Sequence, residues 1–179
     1  MPAAADTTVG GDNGKGGWRW WLRTISYWFF TLVVSYEMAA GAIWDLLRIE
    51  YVRTVFNTLG YPPYLLTIIG VWKLPCAIVL LLPRFLRTKE WAYAGAFFNY
   101  SGAAASHILA GDAPGKWIGP AIFGLFTVGS WALRPPEKRL SPGGPAAQVR
   151  LVAWLVPIVL VIVFLGLALA TLPKGPNPY

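Results

Sequence analysis

The chain has 179 residues, of which 56% are hydrophobic, 15% are aromatic and only 13% are charged, and its formal net charge is +7. So much apolar surface with so few charges excludes a small soluble domain and indicates an integral membrane protein of the all-α class. The basic residues cluster at the ends of apolar runs, which is typical of topology signals and argues against nucleic acid as a partner. One histidine and one cysteine cannot by themselves build a zinc or haem centre, so no metal site is predicted.

The N-terminal part of the chain changes from polar to apolar. Residues 1–17 are small, polar and rich in glycine, which predicts a disordered cytoplasmic tail. A first apolar segment runs from Thr24 to Leu47, long enough to cross a hydrocarbon core of about 30 Å. The mixed stretch from Asp45 to Tyr61 predicts an interfacial helix that ends at a Gly-Tyr-Pro-Pro breaker.

Four further apolar segments predict membrane spans, namely Tyr64–Leu82, Trp91–Leu109, Trp117–Leu133 and Leu151–Leu172. Together with Thr24–Leu47 they make five predicted spans. The third of the five is rich in glycine, alanine and serine, and we expect it at the centre of a polytopic bundle because small residues let helices approach closely in lipid. The predicted organisation is a tail (1–17), a four-helix membrane domain (18–135), a basic Pro/Gly linker (136–150), a fifth transmembrane helix (151–173) and a short tail (174–179).

Lysine and arginine are unevenly distributed between the two sides that five spans define. Ten lie on the side of the N-terminal tail or in the loops on the same side, and the other side has four: Arg48, Arg53, Lys116 and Lys174. The positive-inside rule therefore predicts a multi-pass protein with its N-terminus in the cytoplasm and its C-terminus outside.

Polar residues at membrane depth are the candidates for function. Glu37, Lys73 and Asn99 are each expected near the middle of a span, and a charged lysine there needs a partner or a use. A second polar layer, nearer the outer face, is predicted from Asp45, Arg48, His107 and Asp112. Helical spacing places these residues on stripes of three helices, which predicts a pocket open to the outside or to the outer leaflet. Its candidate ligand-binding residues are Glu37, Asp45, Lys73, Asn99 and His107.

Two interpretations of these residues stand side by side. Lys73 forms a structural ion pair, for which Glu37 is the first-choice partner, or it binds an oxygen atom of a lipid-like ligand such as a quinone. His107 is either a hydrogen-bonded residue near the interface or a proton donor beside Asp45 or Asp112. The lone Cys76 is expected to be a small packing residue.

Several short motifs follow one another at close spacing: Leu59-Gly60-Tyr61-Pro62, Gly70-Val71-Trp72-Lys73-Leu74, Leu82-Pro83-Arg84, Lys89-Glu90-Trp91-Ala92-Tyr93-Ala94-Gly95, Gly102-Ala103-Ala104-Ala105-Ser106-His107 and Gly111-Asp112. In these motifs, over roughly Tyr36 to Pro135, the chain resembles the DoxX-like family of small bacterial membrane proteins. The resemblance implies a four-helix membrane bundle with a pocket between its helices, similar in outline to the sterol-isomerase and sigma-2-receptor type of fold. It also implies the bacterial inner membrane as the location, and the fifth helix is an addition to the family pattern.

The family name derives from a quinone-linked oxidase system, so the resemblance implies a quinone-linked function. The first hypothesis is an accessory or anchoring subunit of a membrane redox complex, docked through helix 151–173 and without a metal or nucleotide site of its own. The alternative is a stand-alone lipid- or quinone-binding protein, or an isomerase in which Glu37, Lys73 and His107 move a proton on an apolar ligand. A small transporter is a weaker third reading, because no inverted repeat is present.

Overall fold

The computed structural model describes residues 15–83, 85–135, 138–139 and 152–172. In these ranges the chain forms six α-helices and no strand: α1 (Lys15–Leu47), α2 (Glu50–Thr58), α3 (Tyr64–Leu81), α4 (Leu86–Leu109), α5 (Pro114–Leu133) and α6 (Val152–Ala170). The predicted all-α class is confirmed. The predicted tail lies outside the described residues up to Gly14, as do most of the linker and the last seven residues.

Among the described residues, two helices are long and apolar enough to cross a membrane by length and composition, namely Trp18–Leu47 within α1 and the whole of α3. α6 contains a shorter apolar stretch, Leu155–Ala170. α4 and α5 have 24 and 20 residues, but their many glycine, alanine and serine residues make them less apolar. The arrangement of four spans plus one therefore stays a prediction.

α1 is the central helix of the bundle. It packs against α3, α5 and α6, while α4 packs against α5 and, less closely, against α3. The helices α1, α3, α4 and α5 thus form a four-helix ring, with α6 on the outside. The segment 91–109 was expected at the centre, but α1 has that place, since α4 packs mainly against two helices. Ala92 and Ala96 of this segment lie in the buried core, whereas Gly95 and Gly102 face open space.

The closest helix contact is between α1 and α3, and it depends on two glycines. A Cβ atom at Gly70 would lie 2.8 Å from Leu46 Cγ and 3.1 Å from the carbonyl oxygen of Ala42. A Cβ at Gly41 would lie 3.0 Å from Lys73 Nζ. Small residues at these two positions therefore let α3 approach α1 and bring Lys73 against the α1 backbone.

A buried polar network joins α1, α4 and α5 inside this core. The hydroxyls of Thr31 and Ser130 are 2.7 Å apart, and the Tyr93 hydroxyl is 2.9 Å from the same Ser130 oxygen. Thr31 also donates to the carbonyl oxygen of Tyr27. Hydrogen bonds of this kind help to hold membrane helices together, because in lipid the hydrophobic effect does not drive helices to associate.

Three helices end in a Schellman motif, in which a residue of left-handed conformation lets the last carbonyls accept backbone N–H groups. After α1 this residue is Arg48, with φ of 49°, and after α2 and α4 it is Gly60 and Gly111, with φ of 74° and 76°. The bonds from Ile49 N–H to the Trp44 carbonyl and from Asp112 N–H to the His107 carbonyl close two of these motifs. The turn at Arg48 separates α1 from α2, so a helix is observed only over Glu50–Thr58 of the segment Asp45–Tyr61, and its interfacial position stays a prediction.

Candidate functional site

A cavity of about 670 Å³ lies between α3 and α4, with α2 beside one end of it. Its walls are mainly apolar and come from Met38 of α1, from α2, and from facing sides of α3 and α4. Three aromatic residues on its rim, Trp72, Trp91 and Phe98, are 72%, 81% and 69% exposed. The cavity is therefore a side groove of the bundle that opens between two helices, and its opening is bordered by apolar rings.

Gly95 and Gly102 line the cavity on the α4 side, and a Cβ at either position would meet no atom within 4 Å. Asn99 lies one turn from each of them on the same stripe of α4 and also lines the cavity. Within the described part of the chain, no hydrogen-bond partner is found for the Asn99 amide. The amide is thus one polar group of the wall that is available to a ligand.

Lys73 lines the cavity from the α3 side and is also bound to α1. Its Nζ atom lies 2.9 Å from Asp45 Oδ2, and the Asp45 side chain is only 4% exposed. The first-choice partner, Glu37, is not the residue that pairs with Lys73. Helical spacing placed both acids on one face of α1, and the axial register of α3 brings the ammonium group to Asp45.

Glu37 lies close behind this ion pair. A Cβ atom at Gly41 would lie 3.5 Å from Glu37 Oε1 and 3.0 Å from Lys73 Nζ, so the carboxylate and the ammonium group both lie against this glycine. The Tyr100 hydroxyl of α4 donates a hydrogen bond to Glu37 Oε2. Two acids and one lysine therefore share a buried region in which the tyrosine supplies the remaining donor. Tyr100 was not among the residues predicted from the sequence, because helical spacing places it on a different face of α4 from Asn99.

The end of the cavity beside α2 is closed by polar contacts. The Tyr61 hydroxyl lies 2.6 Å from the Ser106 hydroxyl, which joins the turn after α2 to α4. His107 Nδ1 lies 2.7 Å from Asp112 Oδ2, so the partner of His107 is Asp112 and not Asp45. Both Ser106 and His107 line the cavity. The predicted outer layer is thus not one group: Asp45 pairs with Lys73 of the predicted middle layer, and His107 pairs with Asp112.

Arg48 and Cys76 complete the predicted set. Arg48 donates to the Thr67 hydroxyl at 2.9 Å and lies outside the cavity lining. Cys76 lines the cavity and its thiol donates to the Ala92 carbonyl at 3.3 Å, which suits a packing residue. In the described ranges no three His, Cys, Asp or Glu side chains are placed to hold a metal ion.

The opposite end of the bundle is basic. Arg134, after α5, donates to Glu90 Oε1 at 2.6 Å and lies over the ring of Tyr93. Lys89 is 1% exposed and donates to the Leu80 carbonyl at 2.5 Å. These groups precede the apolar stretch of α4. Burial, together with repulsion by Lys138 and Arg134, lowers the pKa of Lys89 to about 7.

Comparison with known proteins places the chain in a family. No curated protein and no solved structure matches the chain. The model of the DoxX-like family matches residues 29–130, a range that includes the ion pair, Asn99, His107 and the whole cavity lining. Because this match covers more than half of the chain, the protein belongs to the DoxX-like family of membrane proteins.

Proposed function

We propose that the protein binds an elongated apolar ligand, a lipid or a quinone, in the cavity between α3 and α4. The observation that carries the proposal is the cavity itself, whose volume of about 670 Å³ is in the usual range for small-molecule sites. Its apolar walls suit a hydrocarbon chain or ring. Lys73 and Asn99 supply hydrogen-bond donors for one polar oxygen of the ligand.

The side opening supports entry of the ligand from the bilayer. Trp72, Trp91 and Phe98 border the opening and suit contact with acyl chains. The orientation that we propose has the N-terminus in the cytoplasm of a multi-pass inner-membrane protein. Support comes from the basic end of the bundle, where Arg23 of α1 contacts Arg134 after α5, since such ends favour the cytoplasmic side.

The pocket favours binding over proton transfer. Each candidate proton-transfer group already has an internal partner: Lys73 is paired with Asp45, His107 with Asp112, and Glu37 with Tyr100. A ligand oxygen near Lys73 would accept a further hydrogen bond from the same Nζ atom that contacts Asp45. We therefore place the isomerase alternative second to a binding function.

The test is to block the cavity without disturbing the fold. Gly95→Leu places a side chain in the cavity, and Gly119→Leu on α5 is the matched control, because a Cβ at either glycine meets no atom within 4 Å and Gly119 does not line the cavity. Lipids and quinones that copurify with each variant are identified by mass spectrometry. We expect one apolar compound to be lost from Gly95→Leu and kept by Gly119→Leu and the unmodified protein. Equal retention by all three would overturn the proposal.

A second candidate function is the accessory or anchoring subunit of a quinone-linked membrane complex. The supporting observation is α6, which lies outside the four-helix ring and exposes the side chains of Leu155, Ile158 and Ile162 by 50% or more. Such a face suits a partner helix as well as lipid. Purification of the full chain in mild detergent tests it: a larger assembly supports the subunit role, and elution as a lone monomer or homodimer contradicts it.

A further inference from the structure

Two arginines meet on one carbonyl oxygen at the basic end of the bundle. Arg23 Nη2 and Arg139 Nε each lie 2.9 Å from the carbonyl oxygen of Arg134. Arg23 also donates from Nε to Leu133, and Arg139 donates from Nη2 to Ala132. These bonds satisfy the last carbonyls of α5, but they also hold two positive groups side by side.

Among the described residues, the carboxylate beside this arginine cluster is Glu90, and both of its oxygen atoms already accept hydrogen bonds. Glu90 accepts from Arg134 Nη1 through Oε1 and from Trp131 Nε1 through Oε2, at 2.6 Å and 2.9 Å. Hydrogen bonds from these two groups hold the pKa of Glu90 below its usual range, against the opposing effect of burial. Arg134 brings a third guanidinium group to the cluster, so among the described residues the positive charge exceeds the negative charge.

The arginines keep donors for an anion. A guanidinium group has five N–H donors on three nitrogen atoms, and in Arg23 and Arg139 only two of the three nitrogens are used by carbonyls. The third nitrogen of each is the terminal Nη1. Arg139 is exposed, and Arg23 is half-buried. Two guanidinium groups side by side, each with free N–H donors, match the non-bridging oxygens of a phosphodiester.

The aromatic residues next to the cluster are of the kind found at membrane surfaces. Lys138 Nζ lies 3.8 Å from the centre of the Trp28 ring, and the Trp131 ring is 49% exposed beside Arg134. Tryptophan prefers the headgroup level of a bilayer, and basic groups at the cytoplasmic end of a helix bundle attract anionic headgroups. A phosphate at this level is therefore more readily supplied by a lipid than by free solution.

We infer that the meeting point of Arg23 and Arg139 is a binding site for the phosphate group of an anionic phospholipid. It is separate from the cavity between α3 and α4, which lies between other helix faces and has an apolar lining. The inference depends on a membrane location for the chain but not on the ligand of the cavity.

The first experiment uses the unmodified full chain in a neutral detergent. Binding of phosphatidylglycerol, phosphatidylcholine and inorganic phosphate is compared by native mass spectrometry and by thermal unfolding. We expect phosphatidylglycerol to bind about tenfold more tightly than phosphatidylcholine and to raise the unfolding temperature. Equal binding of the two lipids would overturn the inference. So would saturation of the site by inorganic phosphate at the same concentration, since it would show a site for the free ion.

The second experiment uses charge-removing variants. Arg139→Gln keeps a donor for the Arg134 carbonyl but loses the charge, and Arg53→Gln on α2 is the control because Arg53 is an exposed arginine paired with Glu50 away from the cluster. We expect Arg139→Gln to weaken phosphatidylglycerol binding by about tenfold, in line with the loss of one charged hydrogen bond. Arg53→Gln should leave it unchanged. Equal effects of the two variants would contradict a specific site.

A third variant addresses the neighbouring acid. Glu137 lies outside the described residues, and its carboxylate is the one that the sequence places beside Lys138 and Arg139. If the arginines bind a lipid phosphate, Glu137→Gln leaves the affinity for phosphatidylglycerol within about twofold. If Glu137→Gln raises that affinity about tenfold, the carboxylate occupies the arginine pair in the unmodified protein and the inference fails.

Discussion

Lys73 Nζ lies 2.9 Å from Asp45 Oδ2, and this ion pair joins α3 to α1 where both side chains are largely buried. Gly41 and Gly70 make the contact possible, because larger residues at these positions would separate the two helices. The pair therefore links helix packing to the wall of the ligand cavity.

Removing one member of the pair leaves the other without its partner. We expect Lys73→Met and Asp45→Asn each to lower the free energy of unfolding by about 3–5 kcal/mol, and the double variant to lose less than the two single losses combined. Thermal unfolding of the four proteins in one detergent measures this coupling. Strictly additive losses would show that the pair does not hold the helices together.

Gly70→Ala should destabilise the bundle by about 1–3 kcal/mol, because its Cβ would lie 3.1 Å from the backbone oxygen of Ala42, which cannot move independently of α1. Gly102→Ala is the matched control, since its Cβ meets no atom within 4 Å and alanine favours a helix. The unfolding temperatures of the two variants decide the matter. If Gly102→Ala lowers the unfolding temperature more than Gly70→Ala does, the close contact between α1 and α3 at Gly70 is contradicted.

Tyr100→Phe removes the donor that Glu37 Oε2 accepts. We expect a loss of about 1–3 kcal/mol, because the carboxylate group stays largely buried with an unmet acceptor. Combining Tyr100→Phe with Glu37→Gln should recover part of the loss. Tyr51→Phe serves as the control, since Tyr51 is exposed and its ring contact with Trp44 does not need the hydroxyl. If both phenylalanine variants unfold alike, the bond between Tyr100 and Glu37 contributes no stability.

The stability of the protein should rise with pH above neutrality because of Lys89. Its pKa is about 7 in the folded protein and near its ordinary value of 10.5 in the unfolded chain, so the unfolded chain binds more protons between these values. Below pH 7 both states are protonated and the burial cost is constant. From pH 7 to pH 9 the expected gain is about 2 kcal/mol.

The measurement is a series of unfolding temperatures at several pH values. Lys89→Met should flatten the rise between pH 7 and pH 9 and should be more stable than the unmodified protein at pH 7. Lys116→Met, at an exposed lysine on α5, is the control and should keep the slope. A slope that persists in Lys89→Met would assign the pH dependence to another group.

The sequence predicts the helices well and the relations between them only in part. The bounds of α3 follow from the prolines on either side, and Tyr64–Leu82 was predicted where Tyr64–Leu81 is observed. Helical spacing also identified the face of α1 that holds both acids. It did not fix the axial register of α1 and α3, and two acids eight residues apart differ by about 12 Å along the axis.

The small residues of α4 illustrate a second limit of sequence reasoning. A stripe of glycine and alanine predicts a close helix neighbour, but the groove that it forms also suits a ligand. Here Gly95 and Gly102 border the cavity, and the closest helix packing occurs at Gly41 and Gly70 instead. Whether such a stripe packs against a helix or lines a ligand groove depends on where the neighbouring helix lies, which the sequence of the stripe does not show.

Five of the helices end in one of two different ways. α1, α2 and α4 complete their C-termini with their own backbone, through the turns at Arg48, Gly60 and Gly111. α3 and α5 obtain donors from elsewhere, since Lys89 serves the end of α3 and Arg23 serves the end of α5. The ends of α1, α2 and α4 therefore need no donor from another helix, whereas the ends of α3 and α5 are completed by side chains from elsewhere in the chain. Loss of Lys89 or Arg23 would leave carbonyl groups at the basic end of the bundle without a donor.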